Sequence, residues 1–371
     1  MTIREVEVFQ VRWEEPLPGS TELSAWVRLH DDSGHVGLGE VTPMLGGDIA
    51  LAIIHRHLRE ILIGADPMDS SVLHDRIFHH LVKVGPDGAA AAAIAGVDIA
   101  LWDLKGKILD LPVYKLLGGA WRDKVPFYTS VGHNAKLAPE VVAQRVTGRL
   151  AAEGTRMAKV RISGDRTARD VDIPGDIAKA RAVREAVGPN VALAFDANNG
   201  YSITGAIKVG RALEELDYVW FEEPVQHYHE AAMGEVARRL DIAVAAGEQT
   251  YTLSGFADLI AAGVRVLQPD IVKMGGITGM QRVIALAHAH GVDVAQHQTQ
   301  PTIGQAACLH VAACQMHQWA PLEFNDYSRR QHCVFSTPPD WHDGHFWLGN
   351  NPGLGLETDE EAIASRRVAI V

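Results

Sequence analysis

The sequence predicts a modified (β/α)8 TIM-type barrel preceded by an α+β capping domain. Three observations predict this architecture. The first is an N-terminal series of β-branched, alternating segments, which indicates an antiparallel meander. The second is a set of eight short apolar segments separated by helical stretches. The third is that six successive segments end in an ionisable side chain, 22 to 27 residues apart, which is about one βα unit.

The N-terminal region changes from strand-like to helical patterning. Residues 3–13, 23–29 and 35–41 have strand character and are separated by turn residues. Between Ile94 and Ile108, apolar residues recur at intervals of three and four, as on one face of a helix, and the neighbouring alanines indicate close packing. Gly118-Gly119 ends this region, so we place the first domain boundary near residue 124.

The eight apolar segments that follow are the expected barrel strands. Amphipathic stretches such as Ile177–Val187 and Met280–His290 lie between most of them. In order, the segments cover residues 125–131, 155–162, 191–198, 217–224, 242–249, 264–270, 292–298 and 318–324. The predicted division is therefore 1–124 for the capping domain, 125–324 for the barrel and 325–371 for a tail that leaves the barrel and packs back on the capping domain.

Composition and charge exclude several classes of function. The chain has 371 residues, 47% hydrophobic and 22% charged, as in ordinary globular proteins. A net charge of -12 without a basic stripe argues against nucleic-acid binding. The longest apolar stretch, Ala89–Trp102, contains Asp98 and is too short to span a membrane. Three cysteines without CxxC spacing favour a reducing compartment, so we expect a cytoplasmic protein.

Asp196, Glu222 and Glu248 end three consecutive strand segments. Three converging carboxylates would raise one another's pKa unless a cation lies among them. Oxygen ligands without thiolates favour a hard ion, and Mg²⁺ leaves positions free for substrate oxygens. The alternative is that each acid caps the helix after it, which is the minor interpretation for three acids in register. Glu223 is expected to point away from the axis and to have a structural role, and Pro224 ends the strand.

Asp270 and His297 end the next two segments, and a carboxylate bonded to an imidazole orients the ring and raises its basicity. Lys159 and Arg161, two apart in a strand, are expected to point inward and bind a substrate carboxylate. The alternative for this pair is a structural salt bridge to the acids. Glu323 is expected to face the metal across the site and would donate a proton if its pKa is raised.

Three further residues are candidate substrate contacts. Asn198 shares the face of Asp196, two residues before it. Tyr128 and Ser130 lie on the first barrel strand and are candidates for contacts with substrate hydroxyls.

The ordered motifs resemble the enolase superfamily, specifically its mandelate racemase subgroup, over essentially the whole chain. They are AKVR, FDAN, WFEEP, AAGEQ, QPDIVKMGGITG, QHQTQP and PLEF, together with the helix AGVDIALWDLKGK and the tail PGLGLETDEE. The resemblance implies Mg²⁺ held by Asp196, Glu222 and Glu248, and an Asp270–His297 dyad. It implies removal of the proton α to a carboxylate of a small-molecule substrate, giving a metal-stabilised enediolate.

The resemblance also implies where specificity lies and how the chain assembles. Two loops of the capping domain, Glu14–Glu22 and Thr42–Asp48, would close over the site and exclude water. Homo-oligomers from dimers to octamers are expected by the same resemblance.

One departure from the subgroup pattern decides the predicted reaction. The pattern is often Lys-x-Lys, with the second lysine as a base opposite the histidine, and here that position is Arg161. A guanidinium does not readily lose a proton at neutral pH. A one-base reaction therefore fits better: an acid-sugar dehydratase acting on an aldonate or an aldarate such as galactarate, in which His297 takes the α-proton and the β-hydroxyl leaves as water to give a 2-keto-3-deoxy acid.

Two alternatives remain open from the sequence. If Lys159 is a base, the same enediolate would serve a racemase, an epimerase or a sugar-lactone cycloisomerase. A catalytically silent binding or regulatory protein would lack one of the six strand-end residues, and none is missing. A zinc hydrolase is unattractive because such a site uses more histidine ligands.

Overall fold

The computed structural model describes residues 1–13, 23–42, 44–162, 167–300, 302–317, 319–324 and 334–368. The predicted N-terminal meander is an antiparallel sheet in the order β14-β1-β2-β3. Its strands are β1 (Ile3–Arg12), β2 (Leu23–Asp31), β3 (Val36–Val41) and, from the end of the chain, β14 (Arg367–Val368). Ile3 and Val6 of β1 and the alternate residues Ala25, Val27 and Leu29 of β2 face a hydrophobic core shared with the helices that follow.

The helices of the capping domain lie between residues 44 and 116. They are α1 (Asp48–Ile53), α2 (Arg59–Leu62), α3 (Ser70–Leu81), α4 (Ala89–Ile108) and α5 (Val113–Leu116). A single π-helical turn (Ile54–Leu58) joins α1 to α2, and short 3₁₀ turns cover Met44–Gly47, Pro67–Asp69 and Val82–Val84.

Helix α4 is the centre of the capping domain and touches both the sheet and the barrel. It packs directly on β3: a Cβ on Gly39 would lie 1.9 Å from the carbonyl oxygen of Gly96, so only glycine allows this approach. Buried Asp103 joins three elements, because its carboxylate accepts the backbone N–H groups of Leu38 and Leu354 at 2.7 Å each and pairs with Lys107. The close packing expected from the alanines is confirmed.

Eight parallel strands form the (β/α)8 barrel. They are β4 (Lys124–Val131), β5 (Met157–Arg161), β6 (Ala192–Asp196), β7 (Trp220–Glu222), β8 (Ala243–Ala246), β9 (Val266–Leu267), β10 (Asp293–Val294) and β11 (Leu322–Phe324). Ladders join them in the order β11-β4-β5-β6-β7-β8-β9-β10. One side chain from each of the eight predicted segments, among them Tyr128 and Trp220, fills the interior below the mouth.

Seven helices alternate with the barrel strands. They are α6 (Pro139–Glu153), α7 (Ile173–Val187), α8 (Ile203–Glu215), α9 (Glu230–Arg239), α10 (Leu253–Ala262), α11 (Gly276–His290) and α12 (Ile303–Ala313). Asp172, Ser202 and Thr252 cap α7, α8 and α10 by accepting a backbone N–H three residues later. None of the helices in the described ranges combines the length and the apolar character that a membrane span requires.

The tail contacts both parts of the molecule. A hairpin of β12 (Asp340–His342) and β13 (His345–Trp347) continues the barrel sheet, because β13 pairs antiparallel with the start of β4. Helix α13 (Glu360–Arg366) and β14 then return to the capping domain, where β14 pairs with β1. The expectation that the whole tail leaves the barrel is therefore wrong for the hairpin; the domain boundaries themselves stay a prediction.

Candidate active site

Strand register brings the predicted strand-end residues to one mouth of the barrel. Arg161, Asp196 and Glu222 occupy matching positions on the adjacent strands β5, β6 and β7. Further round the ring, Asp270 and His297 form an isolated parallel bridge just beyond β9 and β10. The carboxyl ends of the strands thus place these side chains at the end of the barrel where βα-barrel active sites lie.

Lys159 forms two ion pairs in the interior of the mouth. Its Nζ lies 2.6 Å from Glu222 Oε1 and 3.0 Å from Glu323 Oε1, and its side chain is only 1% exposed. Burial opposes its charge, but Glu222 and Glu323 raise the pKa of Lys159 well above its usual value. Lys159 is therefore a cation in this arrangement, which matches the salt-bridge interpretation at least as well as the substrate-binding one.

Glu222 is held on its other oxygen by two neutral donors. Oε2 accepts a hydrogen bond from Trp220 Nε1 at 3.0 Å and another from Gln268 Nε2 at 2.5 Å. The sequence reasoning missed both donors. Gln268 lies two residues before Asp270, so the alternation of side chains along that strand was the available signal.

The predicted dyad is formed. His297 Nδ1 lies 2.7 Å from Asp270 Oδ2, and the Oδ1 of Asp270 accepts the N–H of Val272 at 3.0 Å. Lys273, which the sequence reasoning also missed, lies 3.2 Å from the same Oδ2 and donates to the carbonyl oxygen of Glu248. The dyad is thus anchored from both sides, and His297 Nε2 is left facing the mouth.

His297 Nε2 lies 2.9 Å from Glu248 Oε2 and 4.0 Å from Glu323 Oε2. Burial lowers its basicity, but Glu248, Glu323 and the bond with Asp270 raise the pKa of His297 to about 10. Burial likewise opposes the charge of Glu323, yet Lys159 and His297 lower the pKa of Glu323 to about 2. The condition under which Glu323 would donate a proton is therefore not met, and this carboxylate is an acceptor.

Asp196 is the least satisfied carboxylate of the mouth. Its Oδ1 accepts the N–H of Asn198 at 2.7 Å, whereas its buried Oδ2 has no hydrogen-bond partner among the described residues. Burial and the charges of Glu222 and Glu248 raise the pKa of Asp196 to about 8. The repulsion expected of these acids is therefore present at Asp196, whereas burial is outweighed at Glu248 by His297, which lowers the pKa of that carboxyl well below its usual value. An unpartnered carboxylate oxygen in a ring of acids suits a hard cation.

Glu223 supports the loops of the mouth. Its carboxylate accepts hydrogen bonds from Asn199 Nδ2 at 2.7 Å and from Gln249 Nε2 at 2.8 Å, which joins the turns after β6, β7 and β8. Its φ of 40° lies in the left-handed region, where the chain turns sharply before Pro224. These contacts fit the structural role that the sequence favoured.

Arg161 is half-buried at the rim, two residues after Lys159 on β5 and therefore nearer the mouth. A Cβ on Gly132 would lie 2.9 Å from Arg161 Nη2, so this glycine makes room for the guanidinium beside β4. The backbone of Arg161 is held by Asn134, whose Nδ2 donates to its carbonyl oxygen at 3.0 Å. Lys159 and Arg161 thus share a face, as predicted, but lie at different depths.

Two of the expected substrate contacts differ in depth as well. Tyr128 is fully buried in the interior cluster, with its ring 5.6 Å from that of Trp220. Contact of Tyr128 with substrate hydroxyls stays a prediction that this burial does not favour, because the strand stagger places the residue below Lys159, whose Nζ lies 5.7 Å from the ring centre. Ser130, two residues nearer the mouth, hydrogen-bonds Glu323. Of Asn198, the structure defines the backbone contact with Asp196.

The residues present fit a divalent cation in chemistry, although their side chains are paired otherwise. Within the described ranges, no three His, Cys, Asp or Glu side chains lie close enough to hold a metal ion as placed. The reason is visible in the contacts, because Glu222 pairs with Lys159 and Glu248 with His297. Rotation of these two carboxylates toward Asp196 would complete an all-oxygen set.

The two loops expected to cover the mouth are described unequally. Glu14–Glu22 lies outside the described residues. In Thr42–Asp48, the segment Met44–Gly47 forms a 3₁₀ turn, and Gly47 has a φ of 71° directly before α1.

Comparison with known proteins identifies the family of this chain. Residues 3–118 match the family model of the mandelate racemase / muconate lactonizing enzyme N-terminal domain, and residues 141–362 match the enolase C-terminal domain-like model. The chain belongs to the mandelate racemase/muconate lactonizing enzyme family of the enolase superfamily. The fold expected from the resemblance, a capping domain followed by a (β/α)8 barrel, is confirmed.

Individual members of the family are similar over most of their length. An arabinonate dehydratase of Saccharolobus solfataricus is 30% identical over 88% of this chain and 86% of its own. A D-galactarolactone cycloisomerase of Agrobacterium fabrum is 31% identical over 92% and 90%. A mandelate racemase/muconate lactonizing protein of Paracoccus denitrificans PD1222, complexed with magnesium, is 55% identical with a TM-score of 0.95, covering 99% of this chain and 98% of its own.

Proposed function

We propose that this chain is a Mg²⁺-dependent acid-sugar dehydratase, a hydro-lyase that converts an aldonate or aldarate to a 2-keto-3-deoxy acid. The observation that carries the proposal is the imidazole of His297, fixed by Asp270 at 2.7 Å with its Nε2 turned to the mouth. The names of several relatives support the class, since they include arabinonate, D-xylonate and D-galactonate dehydratases.

The proposed metal ligands are Asp196, Glu222 and Glu248. A bound Mg²⁺ would polarise the carboxylate of the substrate and so acidify the proton on the neighbouring carbon. The fit rests on the unpartnered Oδ2 of Asp196 and on the absence of any thiolate from this donor set. The related magnesium complex from Paracoccus denitrificans supports the choice of ion.

His297 is the proposed general base. It is protonated at neutral pH while Glu248 lies 2.9 Å from its Nε2, so Glu248 has to leave this contact before the imidazole can accept a proton. Asp270 then holds Nδ1 as the protonated nitrogen and leaves the lone pair on Nε2. Loss of the α-proton gives an enediolate, the β-hydroxyl takes a proton and leaves as water, and the enol product tautomerises to the 2-keto acid.

Lys159 and Arg161 are the proposed partners of the substrate carboxylate. Both are cations on one face of β5, and Lys159 remains protonated because its pKa is raised. Charge placed before the reaction stabilises the anionic intermediate without reorganisation. Because Glu323 remains an anion beside Lys159, we assign proton donation to the leaving hydroxyl to the imidazolium of His297.

The second candidate is an epimerase or a sugar-lactone cycloisomerase. It is favoured by the position of Lys159, which contacts Glu323 on one side while His297 approaches Glu323 on the other. Relatives named D-galactarolactone cycloisomerase and 3,6-anhydro-alpha-L-galactonate cycloisomerase support it. The guanidinium of Arg161, which does not readily lose a proton at neutral pH, keeps the dehydratase first.

A stereochemically complete panel of aldonic and aldaric acids, incubated with the chain and Mg²⁺, tests the proposal. The expected result is a 2-keto-3-deoxy product from at least one acid, detected by its carbonyl adduct and by mass loss of one water. Reactions in D₂O followed by proton NMR distinguish the candidates, because α-deuterium with an unchanged number of hydroxyls indicates epimerisation. Turnover of panel members without loss of water from any of them would refute the dehydratase.

A further inference from the structure

Glu222 has two oxygens in different chemical settings. Oε2 is bound by two neutral donors, the indole of Trp220 and the amide of Gln268. Both donors are buried, and the ring of Trp220 packs edge-to-face against that of Tyr128, so packing restricts the groups that hold Oε2. Neutral donors do not compensate the charge of the carboxylate. Because they occupy Oε2, a cation would bind at Oε1.

Oε1 is occupied by the ammonium of Lys159, at 2.6 Å. An ammonium and a divalent ion bound to one oxygen would repel each other, so they compete for Oε1. Lys159 also lies 3.0 Å from Glu323 Oε1. It can therefore release Glu222 and keep a charged partner, which avoids leaving a buried ammonium unpaired.

We propose that Lys159 is an internal counter-ion that a divalent cation displaces from Glu222, and that Gln268 is a positioning residue that holds Glu222 for this exchange. The inference rests on the proposed Mg²⁺ site and adds a coupling to it. Metal binding would shift Lys159 wholly to Glu323, where its ammonium is available to a substrate carboxylate. The metal would thereby prepare the substrate-binding cation.

The two residues should affect metal affinity in opposite directions. Lys159→Met removes the competitor and the repulsion between two cations, so Mg²⁺ should bind more tightly by about ten-fold or more, which lies within the roughly 5- to 150-fold range of coupling between two binding sites. Gln268→Leu removes a donor that orients Glu222, so Mg²⁺ should bind more weakly by roughly ten-fold. Loss of a merely structural residue would weaken binding in both cases.

The experiment is isothermal titration of the metal-stripped full chain with MgCl₂ at pH 8. Lys179→Met is the matched control, since Lys179 is also a buried lysine and its Nζ lies 3.0 Å from Asp176 Oδ1. This ion pair does not involve the strand-end acids. The control should bind Mg²⁺ within about two-fold of the wild type, because long-range effects between separated sites are small.

The outcomes separate the two proposals. If the wild type binds no Mg²⁺, the proposed metal site and this inference both fail. If the wild type binds Mg²⁺ and Lys159→Met binds it equally or less tightly, only the counter-ion inference fails. Should Lys159→Met not fold, a crystal structure of the wild type with Mg²⁺ decides: Lys159 Nζ within hydrogen-bond distance of Glu222 would overturn the exchange.

Discussion

Asp270→Asn tests the dyad because the structure determines how the new amide would lie. The N–H of Val272 donates to Asp270 Oδ1 at 3.0 Å, so the amide oxygen of the variant is held at that position. The NH₂ group then takes the place of Oδ2, which lies 2.7 Å from His297 Nδ1. A donor therefore faces the nitrogen that must itself carry a proton in the wild type.

The expected consequence is the wrong tautomer. The amide donates to Nδ1, the imidazole proton moves to Nε2, and the lone pair needed for α-proton removal is lost. Lys273, 3.2 Å from the former Oδ2, would face the same NH₂ group and cannot restore an acceptor. The same exchange beside the histidine of a serine-protease triad costs about 10⁴-fold in kcat, equivalent to about 5 kcal/mol of barrier.

The assay measures kcat for the best acid of the panel, together with α-deuterium incorporation in D₂O. Mg²⁺ titration should give a wild-type affinity, which shows that the fold and the metal ligands are intact. Lys273→Met is the matched control, because it removes a neighbour of Asp270 and leaves the Asp270–His297 bond in place. Activity of Asp270→Asn within ten-fold of the wild type, or a larger loss in Lys273→Met, would refute the tautomer argument.

Four further variants have expected outcomes. His297→Asn should abolish product formation with an unchanged circular dichroism spectrum. Glu222→Gln should remove the Mg²⁺-dependent rise in melting temperature, which in the wild type reflects about 2.7 kcal/mol at a hundred-fold excess over Kd. Asp103→Asn turns one of its backbone-binding oxygens into a donor and should lower the free energy of unfolding in urea by about 3 kcal/mol. Burial raises the pKa of Glu40 from 4.5 to about 7, so its proton stabilises the fold below about pH 4.5 and this contribution is lost as the pH rises through 7. In urea titrations, the free energy of unfolding of Glu40→Gln, relative to that of the wild type, should therefore rise by about 3 kcal/mol between pH 4.5 and pH 8. Parallel pH profiles of the two proteins would contradict the raised pKa of Glu40.

Sequence periodicity predicted which end of the barrel holds the site, because strand-end positions recur with the βα unit. Asp196, Glu222, Asp270 and His297 were placed by counting alone, and the structure brings them to one mouth. The alternation of side chains along a strand predicts which of them point into the barrel, but it does not predict how far below the mouth each one lies. Tyr128 and Ser130 share a face, yet only the stagger between strands, with Ser130 level with Lys159, decides which of them lies below the mouth.

Hydrogen-bond partners within the mouth could not be predicted from one sequence. Trp220 and Glu222 lie two residues apart on β7, whereas Gln268 follows β9, two strands away, so its approach to Glu222 is a property of the sheet. The position of the β12–β13 hairpin has the same origin, because β13 pairs with the start of β4, which local patterning in the tail does not specify.

The charges of the mouth explain why this set of residues suits a divalent ion. Among the described residues, the interacting carboxyl groups are Asp196, Glu222, Glu223, Glu248, Asp270 and Glu323, and the cationic groups are Lys159, Arg161, Lys273 and His297. The acids outnumber the cations by two. The two acids whose pKa values are raised are Asp196 and Glu223, so protons on these groups would offset the surplus. One Mg²⁺ offsets the same two charges without protons, whereas a monovalent ion would leave one buried carboxylate uncompensated.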